Sequence, residues 1–171
     1  NKKGLKEYYD KTYTKDLYFG EKSWEKAEIK MYKTAYNIAL NKSGLSDPSI
    51  DLIISGDLNN QIIIGTYALR NYDNPYLGIF SACASSVEGL ILASILVDSQ
   101  GYKNIAVNTS SHNASAEKQF RYPNEYGGKK PDSITSTVTA ATSVIVSSFS
   151  KDETKIRFTK ATIGKIVDYE M

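Results

Sequence analysis

The chain has 171 residues, a formal net charge of +2, 41% hydrophobic residues and 23% charged residues. These values are typical of one globular domain and exclude a largely disordered chain. The net charge is too small to indicate a nucleic-acid-binding protein. The single cysteine excludes an internal disulfide, and with the single histidine it leaves no zinc cluster, so we expect no metal and no cofactor.

The first residues of the chain and its longest apolar stretch bear on where the protein is located. The chain opens on Asn1-Lys2-Lys3-Gly4 and not on an apolar run, so no signal peptide is indicated, and without an initiator Met we expect it to begin partway through a longer protein. The longest apolar stretch, residues 89–97, is too short to span a bilayer, which needs about 20 residues. We therefore expect an intracellular protein whose association with any membrane is peripheral or through partners. Lysines and tyrosines crowd residues 1–15, and this segment is either a solvated face or a contact surface for a partner.

The first predicted element is a helix over residues 23–43. Ser23 is a suitable N-cap, and Glu25 favours the positive end of the helix dipole. Apolar side chains recur at helical spacing from Trp24 onward and predict one buried face. Gly44 is a suitable C-cap, and Pro48 prevents further helix.

Strands and helices then alternate along the chain. The predicted elements are a strand over 50–55, a helix over 60–70, a strand over 76–80, a buried helix over 84–99 and a strand over 104–109. A polar loop follows from 110 to 134, and strands over 136–148 and 155–169 are predicted to form a hairpin. This order predicts an α/β fold, with a mostly parallel sheet that is covered by helices on both faces and ends in antiparallel strands.

Candidate functional residues gather where the parallel strands end, since ligands of open α/β sheets bind at that edge. Cys83 lies between the strand over 76–80 and the helix that follows, with Ala84 and Ser85 opening that helix. A cysteine there is a candidate nucleophile because the helix dipole favours the thiolate, and the free N–H groups could hold a carboxylate; the alternative is a small buried hydrophobe. His112 follows the strand over 104–109 and is either a base for Cys83, a donor to an anionic ligand or a structural histidine.

The long loop after His112 adds two cations and an aromatic ring. Lys118, Arg121 and Tyr122 suit a planar, carboxylate-bearing ligand, because arginine binds carboxylates through two hydrogen bonds. Each of them could equally be a surface residue. Asp57 could bind or orient a ligand, although capping the next helix is the simpler interpretation.

Five segments carry a resemblance to known proteins. FSACASSVEGL, at a strand-to-helix corner, resembles the nucleophile corner of the thiolase and ketoacyl-synthase superfamily. A more specific resemblance, to the stage V sporulation protein AD family of spore-forming bacteria, covers nearly the whole chain. It rests on DLYFGEKSWEKAE, ISGDLNNQI, GIFSACASSVEGLILASILV, TSSHNASAEKQFRYPNEYGG and KATIGKIVDY.

The resemblance implies a thiolase-like, three-layer α/β/α fold with a mixed sheet and a role in sporulation that is not enzymatic. It implies binding of dipicolinic acid, pyridine-2,6-dicarboxylic acid, free or as its calcium chelate, and assistance in its uptake into the developing spore, at the periphery of the inner membrane. The implied partners are the other proteins of the stage V sporulation A operon and a second copy of the chain. The candidate ligand-binding set is then Cys83, Ala84, Ser85, His112, Lys118, Arg121 and Tyr122, with Cys83 at the superfamily's nucleophile position.

The resemblance also implies that the chain is one part of a larger subunit. A thiolase subunit has two similar halves, and its further catalytic residues come from the second half. We expect residues 1–171 to form a single first half without its first strand, with 155–169 as the first strand of the second half. The alternative function is an acyl-transfer enzyme in which Cys83 forms a thioester.

Overall fold

Four strands form one mixed sheet in the computed structural model, which describes residues 7–120, 137–148 and 156–168. The strands are β1 (Leu52–Asp57), β2 (Tyr76–Gly78), β3 (Asn104–Ser111) and β4 (Ala140–Ser147). The helices are α1 (Trp24–Ser43), α2 (Ile63–Leu69), α3 (Ser85–Asp98) and α4 (Asn113–Phe120).

The sheet has the strand order β2-β1-β3-β4. β1 pairs in parallel with both β2 and β3, and β4 pairs antiparallel with β3. The mostly parallel sheet that ends in an antiparallel strand is therefore confirmed. Because the parallel strands end at one edge, Asp57 and Ser111 come close to the corner that follows β2.

Helices cover both faces of the sheet, as the alternation of elements predicted. Tyr32 and Tyr36 of α1 pack with Ile64 of α2 against Ile53 and the rest of one sheet face. α3 packs on the opposite face, where its own core residues meet apolar side chains of the strands; this second cluster comprises Leu52, Ile54, Ile79, Ala93, Val97, Ile105, Val107 and Val146. The molecule is a three-layer α/β/α structure.

Both ends of α1 form as predicted. The Ser23 side chain accepts a hydrogen bond from the main-chain N–H of Lys26, which satisfies one of the free donors of the first turn. Gly44 ends the helix in the left-handed conformation, at φ 70, and its N–H bonds back to the carbonyl of Asn41. A residue without a side chain adopts this conformation readily.

Several predicted boundaries are wrong. The loop predicted over 110–134 contains α4, because Ala114, Ala116 and Lys118 favour helix and the His112 carbonyl accepts the first helical bond from the Ala116 N–H. The helix predicted over 60–70 is shorter, since residues 60–62 form a 3-10 turn in which Gln61 and Ile62 are left-handed, and α2 begins only at Ile63. The strand predicted over 76–80 ends at Gly78.

The predicted hairpin partner of β4 is also absent from the described part of the chain. Residues 156–168 have no strand, and their side chains are exposed. The expectation that 155–169 opens a second half of a larger subunit stays a prediction. Within the described ranges, no helix has the length and hydrophobicity that crossing a bilayer requires.

Candidate functional site

A cleft of about 1600 Å³ opens at the carboxyl edge of the sheet. It extends from the strand ends along α1 and β4, and residues 8–14 form part of its wall. Its lining at the strand ends comprises Gly56, Asp57 and Leu58 after β1, Ala82, Cys83, Ser85 and Ser86 at the corner before α3, and Thr109, Ser110 and Ser111 of β3. The prediction that the site lies where the parallel strands end thus has a cavity to match it.

The corner before α3 presents Cys83 to solvent. Residues Ala82–Ala84 form a 3-10 turn, and Ala82 has a φ of 45, a left-handed conformation that costs about 1–2 kcal/mol for a residue with a side chain. The Ser81 N–H donates to the Ser85 hydroxyl at 3.1 Å, and the Ser81 hydroxyl donates to the Glu88 carboxylate. Cys83 is a free, exposed thiol, so its interpretation as a small buried hydrophobe is wrong.

His112 is held as a structural residue. Its Nδ1 accepts from the Ala114 N–H at 3.2 Å, which places the ring proton on Nε2, and Nε2 donates to the Leu17 carbonyl at 2.8 Å. The side chain is fully buried and stacks on Trp24 with 6.4 Å between ring centroids. Both nitrogens are occupied by the main chain, so in this structure His112 neither activates Cys83 nor faces the cleft.

The other predicted ligand residues are distributed unevenly. Ser85 is buried at the cleft wall, and Ala84 is exposed beside it on the same turn. Lys118 is exposed on α4 and does not line the cleft, while Arg121 and Tyr122 lie outside the described residues. The structure therefore brings together the corner residues of the predicted set, without His112 or Lys118.

Asp57 caps α2, as its simpler interpretation proposed. Its Oδ2 accepts from the Gly65 N–H at 3.0 Å and its Oδ1 from the Asn59 N–H at 2.9 Å. Burial raises the pKa of the Asp57 carboxyl, and these main-chain hydrogen bonds act in the opposite direction. Asp57 also lines the cleft, so the residue that caps α2 is part of the cleft wall.

A buried carboxyl group that the sequence analysis did not single out lies next to Asp57. Glu28 of α1 accepts hydrogen bonds from Ser110 at 2.8 Å, from the Asn59 side chain at 3.0 Å and from Ser115 at 3.2 Å. Burial raises the pKa of Glu28 to about 7, repulsion from Asp57 adds to the rise, and the hydrogen bonds oppose it. One signal could have found it: Glu28 follows Trp24 by one helical turn, on the face predicted to be buried.

The family model for stage V sporulation protein AD matches residues 1–171. The chain belongs to this family. Over 160 residues it is 46% identical to stage V sporulation protein AD of Bacillus subtilis (strain 168), an alignment that covers 94% of this chain and 46% of that protein. The chain thus spans about half the length of the curated relative it matches.

The fold is thiolase-like. The structure is similar to crystalline 3-oxoacyl-[acyl-carrier-protein] synthase III from Aquifex aeolicus VF5, with a TM-score of 0.56 and 20% identity. The superposition covers 72% of this chain and 39% of that enzyme. At this identity the likeness shows the architecture alone, and it confirms the fold expected from the FSACASSVEGL corner.

Proposed function

We propose that the chain is the dipicolinate-binding part of a sporulation protein that assists loading of this compound into the developing spore, without catalysing a reaction. The observation that carries the proposal is the family match over residues 1–171, combined with an open cleft at the corner where thiolase-like folds hold their ligands. Dipicolinate has a flat aromatic ring and two carboxylates. It therefore needs hydrogen-bond donors, positive charge and an apolar wall.

The lining of the cleft fits these requirements. Three hydroxyl-bearing residues, Ser86, Thr109 and Ser110, line it at the corner and along β3. The early segment of the chain contributes Lys11 and further side chains, namely Tyr8, Tyr9 and Tyr13. Tyrosine rings offer a face for an aromatic ligand, and a lysine ammonium favours a dianion. The described part of the lysine- and tyrosine-rich start, residues 7–15, thus supports the binding hypothesis.

An acyl-transfer enzyme is the second candidate, and one observation favours it. Cys83 is an exposed thiol at the start of α3, where N–H groups can stabilise an oxyanion. Against it stands His112, whose ring nitrogens are both bonded to main-chain groups, so the described residues place no imidazole base at Cys83. Acylation of Cys83 would need a base from elsewhere.

A ligand-dependent stability measurement on the full-length protein separates the two candidates. Dipicolinate at 100 times its dissociation constant is expected to stabilise the protein by about 2.7 kcal/mol, visible as a rise in melting temperature. Isophthalate, which has the same two carboxylates but no ring nitrogen, is the matched control ligand. An unchanged melting temperature with millimolar dipicolinate, together with covalent acylation of Cys83 by an acyl-CoA, would replace the binding function with the enzymatic one.

The proposal includes the setting of the protein. We expect a homodimer that works with the other proteins of the stage V sporulation A operon at the periphery of the spore inner membrane. Calcium, where it accompanies the ligand, enters as the dipicolinate chelate. Light scattering in solution tests the dimer, and fractionation of sporulating cells tests the location: recovery in the mother-cell cytosol alone contradicts it.

A further inference from the structure

Glu28 connects four elements of the fold at one carboxyl group. It belongs to α1 and accepts from Asn59 in the turn after β1, from Ser110 of β3 and from Ser115 of α4. Its side chain has no exposed surface. The positions of the β1 and β3 ends, which border the cleft, therefore depend on this carboxyl group.

Ser110 is the point where this cluster meets the cleft. Its hydroxyl lies 2.8 Å from Glu28 Oε1, and the same residue lines the cavity. A serine hydroxyl has one proton to donate and lone pairs that accept. When Glu28 is ionised it can only accept, so the Ser110 proton points to Glu28 and the hydroxyl offers any other partner only its lone pairs. When Glu28 is protonated, its O–H can donate to Ser110, and the Ser110 proton is then free for another acceptor.

We propose that Glu28 is a positioning residue that couples the binding of an anion in the cleft to the uptake of one proton, through the hydroxyl of Ser110. This inference rests on the proposed function, because dipicolinate is the anion. The proton comes from solvent and resides on Glu28 Oε1, and no covalent bond forms or breaks. The ligand carboxylate accepts the hydrogen bond that Ser110 otherwise gives to Glu28.

The surroundings of Glu28 support proton uptake near neutral pH. The hydrogen-bond donors to Glu28 named above are all uncharged, and Asp57, from the end of β1, adds a second carboxylate nearby. From α4 and the turn before it, the His112 main-chain carbonyl shares the Ser115 hydroxyl proton with Glu28, and the Glu117 carboxylate accepts from the Thr137 N–H. Tyr32, one turn along α1, donates to Ser55. Burial and the Asp57 charge raise the pKa of Glu28 to about 7. The carboxyl group therefore gains or loses its proton within the range of pH found in cells.

The test is the dissociation constant of dipicolinate, measured by calorimetry on the full-length protein at about pH 6 and pH 8. Dipicolinate keeps both carboxylates ionised at these values. The wild-type protein is expected to bind about tenfold more weakly at pH 8, because the protonated fraction of a group with a pKa of about 7 falls about tenfold between these values. Glu28→Gln is expected to bind dipicolinate with the same dissociation constant at both pH values, near that of the wild-type protein at pH 6. Its amide NH₂ donates to Ser110 at either pH.

Two further variants complete the design. Ser110→Ala is expected to bind dipicolinate weakly and without pH dependence. This variant tests the coupling even if Glu28→Gln does not fold. Glu25→Gln, in the first turn of the same helix, is the matched control and should keep the tenfold pH effect. Equal pH dependence in the wild-type protein and Glu28→Gln, or a flat profile in the wild-type protein, overturns the coupling.

Failure of the proposed function gives a different result. If the wild-type protein binds no dipicolinate at either pH, the proposed function and the coupling both fail. The protonation of Glu28 is then judged by infrared spectroscopy, in which a protonated carboxyl band lost between pH 6 and 8 and missing in Glu28→Gln reports this group alone. Absence of that band at pH 6 overturns the assignment of the proton to Glu28.

Discussion

Gly56 and Ser85 are in contact where β1 ends and α3 begins. A side-chain carbon added at Gly56 would lie 2.7 Å from Ser85 Cβ and 2.9 Å from its Oγ. Real side chains do not approach this closely, so the absence of a side chain at position 56 allows α3 to start directly over the strand. Ser85 in turn accepts from the Ser81 N–H, which fixes the turn that presents Cys83. The contact between Gly56 and Ser85 therefore positions both the end of β1 and the turn that carries the Cys83 thiol.

Gly56→Ala is expected to displace the start of α3. Overpacking of a filled site costs about 1–3 kcal/mol. The added methyl group has little room to move, because it meets the Ser85 side chain and also the Ile79 carbonyl, 3.0 Å away. Urea unfolding measures the loss of stability. Gly101→Ala is the control, because its added carbon would meet atoms only at 3.6 Å and beyond. A loss as small as that of the control would show that the corner adapts without cost.

His112→Ala is expected to lower the free energy of unfolding by about 2–4 kcal/mol. The variant leaves the Leu17 carbonyl and the Ala114 N–H without their partner and removes a buried ring from Trp24. Unfolding in urea measures the change. The rate of Cys83 alkylation by iodoacetamide should stay within twofold of the wild-type rate, since His112 does not line the cleft. A tenfold slower alkylation would mean that His112 activates the thiol after all.

Glu28 is expected to make stability depend on pH. Its pKa is raised from 4.5 in the unfolded chain to about 7 in the folded one, so the folded state binds the extra proton. The contribution to stability is complete below about pH 4.5 and is lost as pH rises through 7, with a total of about 3 kcal/mol. Unfolding in urea at pH 5 and pH 8 should show this loss in the wild-type protein.

Glu28→Gln separates this contribution from other titrating groups. The variant should lose less stability than the wild-type protein between pH 5 and pH 8, because its amide carries no charge at either value. Glu25→Gln should follow the wild-type profile. Parallel profiles for the wild-type protein and Glu28→Gln would assign the pH dependence to other groups.

The sequence predicted the fold wherever local signals and tertiary packing agreed. Ser23 and Gly44 set the ends of α1 through short-range hydrogen bonds, which depend on residue type at fixed positions. The alternation of apolar strands and helices determined the layers in the same way. Local signals failed at Gln61 and Ile62, where the chain adopts left-handed conformations that propensity disfavours, between the Asn59 and Gly65 N–H groups that bond to Asp57.

The candidate site was predictable in its place but not in its chemistry. The carboxyl ends of parallel strands located the cleft, and FSACASSVEGL located Cys83 within it. The role of His112 could not be read from its position after β3, because its partner Leu17 is 95 positions away in the chain. The place of Glu28 on the apolar face of α1 indicated its burial but not its partners, since only the tertiary fold brings Ser110 and Ser115 to it.

Cys83→Ala is expected to fold normally and to weaken dipicolinate binding at most severalfold. The thiol is exposed and is bonded to no other cysteine, so its removal leaves no cavity in the core and no broken crosslink. The main-chain N–H groups of the turn stay where Ser85 and Ser81 hold them. Calorimetry with dipicolinate measures the affinity, and Val87→Ala, on the exposed side of α3 and outside the cleft lining, is the control. Loss of binding with Cys83→Ala, or labelling of Cys83 by acyl donors at catalytic rates, would mean that the sulfur itself takes part and that the corner still performs chemistry.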